Sequence, residues 1–579
     1  MTFPGRALPF LAFILLLLLS GPLSLCDQPS AAFRISGIVI DSVTGAPVRN
    51  CHLDAGLTRA FRGPVGQGRR QSAAAGSAET DPQGHFAIVL PSAGTWHLTA
   101  SAPGYVTEAY DAHGVYSSAV VLTPGAPSFD LTFHLPPQGR ISGTILDEAS
   151  EGVRNATVEL IAQPLPSPGG RQAGGPVSRR ITQTDDRGAY EFAGLLPGNY
   201  RLSVQTRPWY ATAQRNFGLS QLRGTDSPTP QEPDLDVAYP VTWFPGVSDE
   251  QQAQLITLRP GDQQQADLQL VPIPSVHLKL IVPPVSDQRP GQPTGAAFPI
   301  LERISTSGDA GSRFVQPTSV TNSQGQIDIG GLTPGTYRVR LQMPGQGAND
   351  GVVQLSEGSS VVVDLREAGV GMTNVSVKLD DEEDERSLSI ELVDSSTGQR
   401  YRAGGNFASN LRGGPGNAQR QMGDSSLHVP SGRYEVVVTG REKYLTGISA
   451  QGAQVAGRFL TVHGGEVTLQ LHTATGRASI RGVAALAGKP CIGAIVLLVP
   501  AGLDDPGSFT TVARDQSDTD GSFNLENVIP GQYILIAVDR GWDINWNDPT
   551  TLRRYLTQGV PLDLHSDATV KQNLNAQSP

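Results

Sequence analysis

The 579-residue chain has only three cysteines, Cys26, Cys51 and Cys491. They are too few and too far apart for a disulfide framework, which needs more than one closely spaced pair. Lysine is almost as scarce, with five residues at Lys279, Lys378, Lys443, Lys489 and Lys571. The other basic residues are arginines scattered through loop-like stretches, no long basic run occurs, and the formal net charge is −11. Nucleic acid, whose phosphates attract Lys and Arg, is therefore not an expected partner. No glycine loop followed by Lys is present to cradle a phosphate. After the N-terminal segment no apolar stretch approaches the roughly 20 residues that cross a bilayer, so no transmembrane segment is expected in the mature chain.

What the chain has in abundance is turn chemistry. Glycine (66) and proline (44) suit many short strands and turns, and the 38% of hydrophobic residues is enough for packed cores. At roughly 100–150 residues per domain, the length predicts about four or five domains. The first 26 residues read as a secretory signal. Arg6 supplies the positive end, Leu8 to Leu19 an apolar stretch too short for a comfortable span, and Ser24 and Cys26 the small residues before a cut at Asp27. The competing reading is a lipoprotein signal with Cys26 acylated, from which Leu25 departs because such signals carry a small residue there. An exported chain is expected, periplasmic, surface-held or secreted. Cys51 falls where the second repeat has Ala156, on an expected strand, and reads as a small core residue.

One signature repeats. Thr80-Asp81-Pro82-Gln83-Gly84-His85-Phe86 is followed by Gly94-Thr95-Trp96, and Thr184-Asp185-Asp186-Arg187-Gly188-Ala189-Tyr190 by Pro197-Gly198-Asn199-Tyr200. Thr321 to Gly325 precedes Pro334-Gly335-Thr336-Tyr337, Ser517-Asp518-Thr519-Asp520-Gly521 precedes Pro530-Gly531-Gln532-Tyr533, and a degenerate copy runs from Gly423 to Gly432-Arg433-Tyr434. Asp followed by Gly makes a tight turn in which Gly takes the positive φ that other residues resist. A short alternating strand follows, Pro-Gly turns the chain, and Tyr opens another strand with one buried face.

Each unit also has a front and a back. Fronts read Ile35-Ser36-Gly37-Ile38-Val39-Ile40-Asp41, Ile141-Ser142-Gly143-Thr144-Ile145-Leu146-Asp147 and Ile480-Arg481-Gly482-Val483. Backs are hairpins such as Leu122-Thr123-Pro124-Gly125 and Leu258-Arg259-Pro260-Gly261, each leading into a last apolar strand. Five modules are expected, at 33–137, 138–273, 274–368, 371–474 and 476–579, all-β and built as sandwiches of about seven strands each. Gln163 to Pro176, Arg207 to Gly246 and Ala403 to Gly423 read as surface excursions. Helix is expected to be scarce, with one short turn at Asp548 to Tyr555, where Pro549 follows a capping Asp.

These residues resemble the carboxypeptidase regulatory-like domain, a transthyretin-like or Cna-B-like sandwich of Ig-like architecture. The resemblance rests on G-x-V-x-D, the T-G-x-P turn, T-D-x-x-G-x-F and P-G-x-Y. It covers modules one, two and five well, module three in part and module four weakly. The tail from Trp546 to Tyr555 looks like the last module of large exported acidobacterial proteins of this kind. The motifs are turn and core residues, so they specify a fold and say little about function; the fold's kinship to starch-binding-like domains is an analogy of architecture. The resemblance also raises a Lys–Asn or Lys–Asp crosslink, which modules one and two, lacking lysine, cannot form; Lys279 could face Asp364 in module three, though without a clear buried Glu to catalyse the bond.

No convergent catalytic set is legible. His463-Gly464-Gly465-Glu466 with His565 mimics a zinc pattern, but both histidines occupy the same hairpin turn of two modules. Asp515, Asp518 and Asp520 mimic part of a calcium loop without its closing Glu and are better explained by turn formation. Neither metal nor cofactor is expected. The loop aromatics are the best binding candidates: Trp209 with Tyr210, Trp243 with Phe244, and Trp542 with Trp546, near Asp543, Asn545 and Asn547. Sugar rings stack on such faces; the competing reading is that the rings cover the open ends of their own sandwiches. The expected function is a non-catalytic extracytoplasmic scaffold or interaction protein, partnered by polysaccharide or a cell-surface protein, with carbohydrate binding through these aromatics as the alternative.

Overall fold

A computed structural model describes residues 33–57, 75–163, 179–211, 236–281 and 298–304 and, apart from short stretches, 313–365, 372–402 and 426–579. The leader 1–26 with Cys26, the segments 164–178, 212–235 and 403–425, the acids Asp381 to Glu385 and Asn547 lie outside them.

Alternating burial sets the architecture. In the strand His85–Leu90, Phe86, Ile88 and Leu90 are buried while the residues between them are exposed. Strands with one apolar face must cover it with a second sheet, and the sheets accordingly come in pairs. In the first sandwich Phe33–Asp41 lies between His85–Leu90 and Ser128–Leu135; the facing sheet is Gly76–Glu79, His52–Gly56 and Gly94–Ser101 with two short edge strands. The plan recurs around the first strands Gly139–Leu146, Val276–Ile281, Met372–Leu379 and Ala478–Leu486. Each first strand pairs antiparallel with the strand after the Asp-Gly turn or its degenerate counterpart, and parallel with the last strand of its sandwich. Parallel first and last strands put the entry and exit of the chain at opposite ends, which suits sandwiches strung end to end.

The repeated residues have architectural partners. Asp81 Oδ1 accepts the N–H groups of Gln83 (2.9 Å) and His85 (2.8 Å), and Asp185 Oδ1 those of Arg187 (2.9 Å) and Ala189 (2.8 Å). The hydroxyls of Thr80, Thr184 and Ser517 each donate to one backbone carbonyl and accept one buried N–H, pinning the turn to the facing sheet. Tyr200, Tyr337, Tyr434 and Tyr533 fill the cores, and each donates its O–H to the carbonyl four residues earlier at 2.6–2.7 Å. Trp96 holds the same position in the first sandwich, fully buried. Cys51 and Ala156 are both completely buried, and burial pushes the Cys51 thiol up to about 11, which makes it a core residue in chemistry as well as place.

Helix is scarce, as expected, and one detail differs from the expectation of surface excursions. Within Arg207 to Gly246, the part from Val237 to Trp243 forms two short strands, and Tyr239, Val241 and Trp243 are buried. Trp243 pairs with Ser203 and packs on Ile161, so the end of this excursion serves as extra core. The expected turn at Asp548 is a true α-helix, Pro549–Leu556, whose cap Asp548 accepts Thr550 and Thr551 N–H at 3.1 Å.

The joint between the second and third sandwiches carries a histidine clamp. His277 Nε2 lies 2.8 Å from Asp236 of the second sandwich and Nδ1 3.0 Å from Asp328 of the third. Burial alone would lower its pKa, but the hydrogen bonds and charges of Asp328 and Asp236 outweigh it and raise His277 above the ordinary 6.5. A raised folded-state pKa stabilises the joint fully below about 6.5 and loses that contribution as pH climbs through the raised value. Hydrogen exchange at Ser275 N–H, which donates to Asp236 O at 2.9 Å, is therefore expected to speed up across that interval beyond the intrinsic pH trend. His277→Gln should remove the excess; an excess that survives the substitution would assign it elsewhere.

Candidate functional site

The five tryptophans occupy three environments. Trp96, Trp243 and Trp546 are 0%, 4% and 2% exposed, so their faces are covered by their own sandwiches. Trp546 donates Nε1–H to Gly541 O (2.8 Å) and meets Tyr555 of the helix edge-on at 5.1 Å. The helix folds back over the segment 541–546 and, with Ile495, Leu497 and Ile536, gives that ring a second small core. Trp209 is 75% exposed. Trp542 is partly buried and lies against another sandwich.

Trp209 belongs to the second sandwich and stands edge-on to Tyr210, with centroids 5.7 Å apart. Tyr210 donates its O–H to one oxygen of Glu148 and Tyr239 to the other, both at 2.5 Å. Against the upward push of burial, these two donors hold Glu148 below the usual carboxylate range. Burial and then the Glu148 hydrogen bond push Tyr210 up to about 12, and the same causes raise Tyr239. A carboxylate accepting from two phenols fixes the Tyr210 ring and, through it, the edge beside Trp209.

Trp542 stacks on His113 of the first sandwich, with centroids 5.0 Å apart and planes 8° from parallel, while Tyr116 tilts against it at 5.5 Å. Its Nε1–H donates to Gly493 O at 2.9 Å. These rings mark one side of a contact between the first and fifth sandwiches. Thr519 N–H donates to Ala119 O (3.0 Å), Ala119 N–H to Asp518 Oδ1 (2.7 Å), Val121 N–H to Thr519 Oγ1 (2.9 Å) and Ser118 O–H to Ser517 O (2.9 Å). Gln516 is completely buried; its amide NH₂ faces Asp111 O (2.5 Å), Asp111 Oδ2 (2.9 Å) and Ser118 Oγ (2.9 Å), and its Oε1 faces His113 Nδ1 (3.1 Å). A Cβ on Gly493, which sits at φ +71°, would lie 2.4 Å from Asp111 Oδ2 and would push that carboxylate out of its bonds to Ser118 and Gln516.

This contact reuses the repeated turn. At the position of Gln516 the first two sandwiches have Glu79 and Gln183, and at that of Thr519 they have Pro82 and Asp186; all four are exposed. In the fifth sandwich Asp520 Oδ1 accepts Ser522 N–H (2.9 Å), a cap within the turn, while Asp518 Oδ1 reaches the first sandwich. The sequence signal was the extra acid in Asp518-Thr519-Asp520, which reads as turn chemistry and gives no hint of the partner.

An open groove of about 600 Å³ on the second sandwich is lined by Arg140, Ser142, Thr182, Asp185, Tyr190 and Glu191. Arg140 pairs with Glu191 at 3.1 Å and Asp185 is engaged in its turn, so the charges there have partners. His463 and His565 are exposed in their hairpins, and among the described residues no three His, Cys, Asp or Glu side chains converge as metal ligands.

The described chain is thus a modular protein of tandem β-sandwiches whose repeated residues serve the fold. Residues 140–229, within the second sandwich, match the family model of the carboxypeptidase regulatory-like domain. No curated protein sequence matches the chain. Among solved structures it is similar to a streptococcal ancillary pilin, at 15% identity over 52% of this chain and 98% of the pilin, with a TM-score of 0.18. It is similar to the minor pilin of Streptococcus agalactiae at 11% identity over 44% of this chain and 100% of that one, with a TM-score of 0.19. The Bacillus anthracis TIE protein aligns at 9% identity over 73% of this chain and 68% of that one, with a TM-score of 0.13. At these scores the likenesses carry no argument about function or about how the sandwiches are arranged.

Proposed function

We propose that this chain is an exported, non-catalytic scaffold of five sandwiches with the limits 33–137, 138–273, 274–368, 371–474 and 476–579. The observation that supports this most is how the repeated polar residues are used: the Asp, Thr and Tyr of the signature bond to backbone in sandwich after sandwich. A side chain committed to backbone inside a turn or core is not available to a substrate. Protease treatment of intact producing cells is expected to release β-rich fragments of roughly 100 residues, cut at joints and long loops. The intact exported protein should begin near Asp27 and carry no lipid. Full-length protein retaining residues 1–26 inside the cell, or an uncleavable core of several modules, would overturn the proposal.

A second reading, carbohydrate binding, is supported by one place. Trp209 offers an exposed ring beside Tyr210, whose orientation is fixed by Glu148. On this reading Trp209→Ala abolishes retention on an immobilised polysaccharide and leaves the melting profile unchanged, since an exposed ring adds little to stability. Equal retention of both proteins would remove Trp209 as a platform. Trp243 and Trp546 have no face to offer while buried, and Trp542 is engaged by His113 and Tyr116.

A further inference from the structure

The contact between the first and fifth sandwiches joins residues as much as 405 positions apart and is heterologous: a loop of one domain seats on a turn of another. Its two faces are unlike, so each copy of the chain carries one complete socket and one complete plug. The plug is the segment from Asp111 to Val121 and the socket is Gly493, Gln516 to Thr519 and Trp542. Heterologous contacts are not limited to one partner; the same pair of faces closes a ring within one chain or links successive chains head to tail. We propose that this surface is an exchangeable self-association site, in which the first sandwich of one copy seats on the fifth sandwich of a second copy.

Three observations carry the proposal. The contact is a specific one, with backbone N–H groups of Ala119, Val121 and Thr519 each meeting an acceptor across it. The socket differs from the first two copies of the same turn in the direction docking needs: Asp81 and Asp185 cap their own turns, whereas in the fifth sandwich Asp520 adds a cap and Asp518, besides meeting Ser522 in its own turn, bonds across the contact. The buried groups nearest its centre are polar or small, namely Ser118, Ala119, Gln516 and Ser517. Water can satisfy such groups when the faces part, while the rings of Trp542, His113 and Tyr116, packed across the contact, are uncovered and favour a partner on either chain. Inside one chain the tether supplies a high effective concentration and favours the closed form; breaking the internal pair on one side leaves the other side's partner to be found in trans.

The test uses two full-length variants that are damaged on opposite faces. Gln516→Glu keeps the size of the side chain, removes its donors and sets a carboxylate against Asp111; Glu79 occupies the same turn position exposed in the first sandwich, so the fold accepts it. Ser118→Arg blocks the plug. Each variant alone is expected to remain a single chain with a larger radius of gyration than the wild type. Mixed at roughly 0.1 mM each, so that association is read well above trace concentration, they should form a 1:1 complex of twice the mass, because the Gln516→Glu chain supplies an intact plug and the Ser118→Arg chain an intact socket. Light scattering reads the mass and small-angle scattering the radius. Open variants that stay single on mixing overturn the exchange, and variants that keep the wild-type radius overturn the closure itself. Calorimetry checks that all sandwiches are folded; should Gln516→Glu lose a transition, Thr519→Arg, at a turn position exposed in the first and second sandwiches, replaces it in the same mixture.

Discussion

Tyr533→Ala is expected to unfold the fifth sandwich and leave the other four folded. The ring is 1% exposed, at the centre of a cluster that includes Ile480, Leu498 and Leu564. Its strand is flanked on both sides, Tyr533 pairing with Pro500 and with Leu562, so the surrounding sheet cannot collapse far into the space left behind. Removing such a ring costs about 3–5 kcal/mol. The same substitution removes the phenol O–H that the part-buried carbonyl of Ile529 receives at 2.6 Å, a loss of about 1 kcal/mol. The sum is comparable with the 5–15 kcal/mol that holds a whole domain together. The cores of the other sandwiches are separate clusters, so their transitions in a calorimetric scan should survive. Tyr533→Phe keeps the ring and loses only the hydrogen bond, and should lower the same transition by about 1 kcal/mol. A melt unchanged by Tyr533→Ala would sink the core assignment.

The residues behind that prediction were legible in the sequence because they act locally. An Asp-x-x-Gly turn is closed by bonds spanning two to four positions, as Asp185 does with Arg187 and Ala189. A Tyr that bonds four residues back after a Pro-Gly turn likewise needs nothing from elsewhere. The loop tryptophans were not legible for the opposite reason. Trp243 and Trp546 look alike as aromatic residues in polar, proline-containing segments, and both are buried because strands distant in sequence pack under them: Ile161 in one case, Ile495, Leu497 and Ile536 in the other. Trp542 is engaged by a loop from the other end of the chain. Period and turn chemistry decide which residues face inward on a strand; they do not decide what packs over a loop.

Gly482→Ala should be nearly as damaging as the loss of the tyrosine, although it adds one methyl group. Gly482 holds the third position of the fifth sandwich's opening motif, as Gly37 and Gly143 do in the first and second. A Cβ at these glycines would lie 1.7 Å from Gln572 O, 1.9 Å from Leu131 O and 2.3 Å from Ala266 O respectively, all far inside contact distance with backbone. The cause is the way first and last strands join. In the second and fifth sandwiches the parallel ladder is interrupted after Gln265 and after Lys571. The next residue turns its carbonyl over the glycine, and a side chain takes the place of the missing ladder acceptor: Asp267 Oδ1 accepts Thr144 N–H at 2.8 Å, and Asn573 Oδ1 accepts Val483 N–H at 3.0 Å. A methyl group at Gly482 also meets Phe523 Cζ at 2.8 Å, so it cannot be accommodated by moving the last strand alone. Overpacking costs about 1–3 kcal/mol, and the clash with backbone on one side and a buried ring on the other places Gly482→Ala at the upper end. Gly502→Ala is the matched control, since a Cβ there meets nothing within 4 Å. Calorimetry is expected to show the fifth sandwich's transition falling sharply for Gly482→Ala and holding for Gly502→Ala. Equal melts for the two would mean that the strand junction yields freely, and the recurrence of glycine in the opening motif would then need a cause other than close approach.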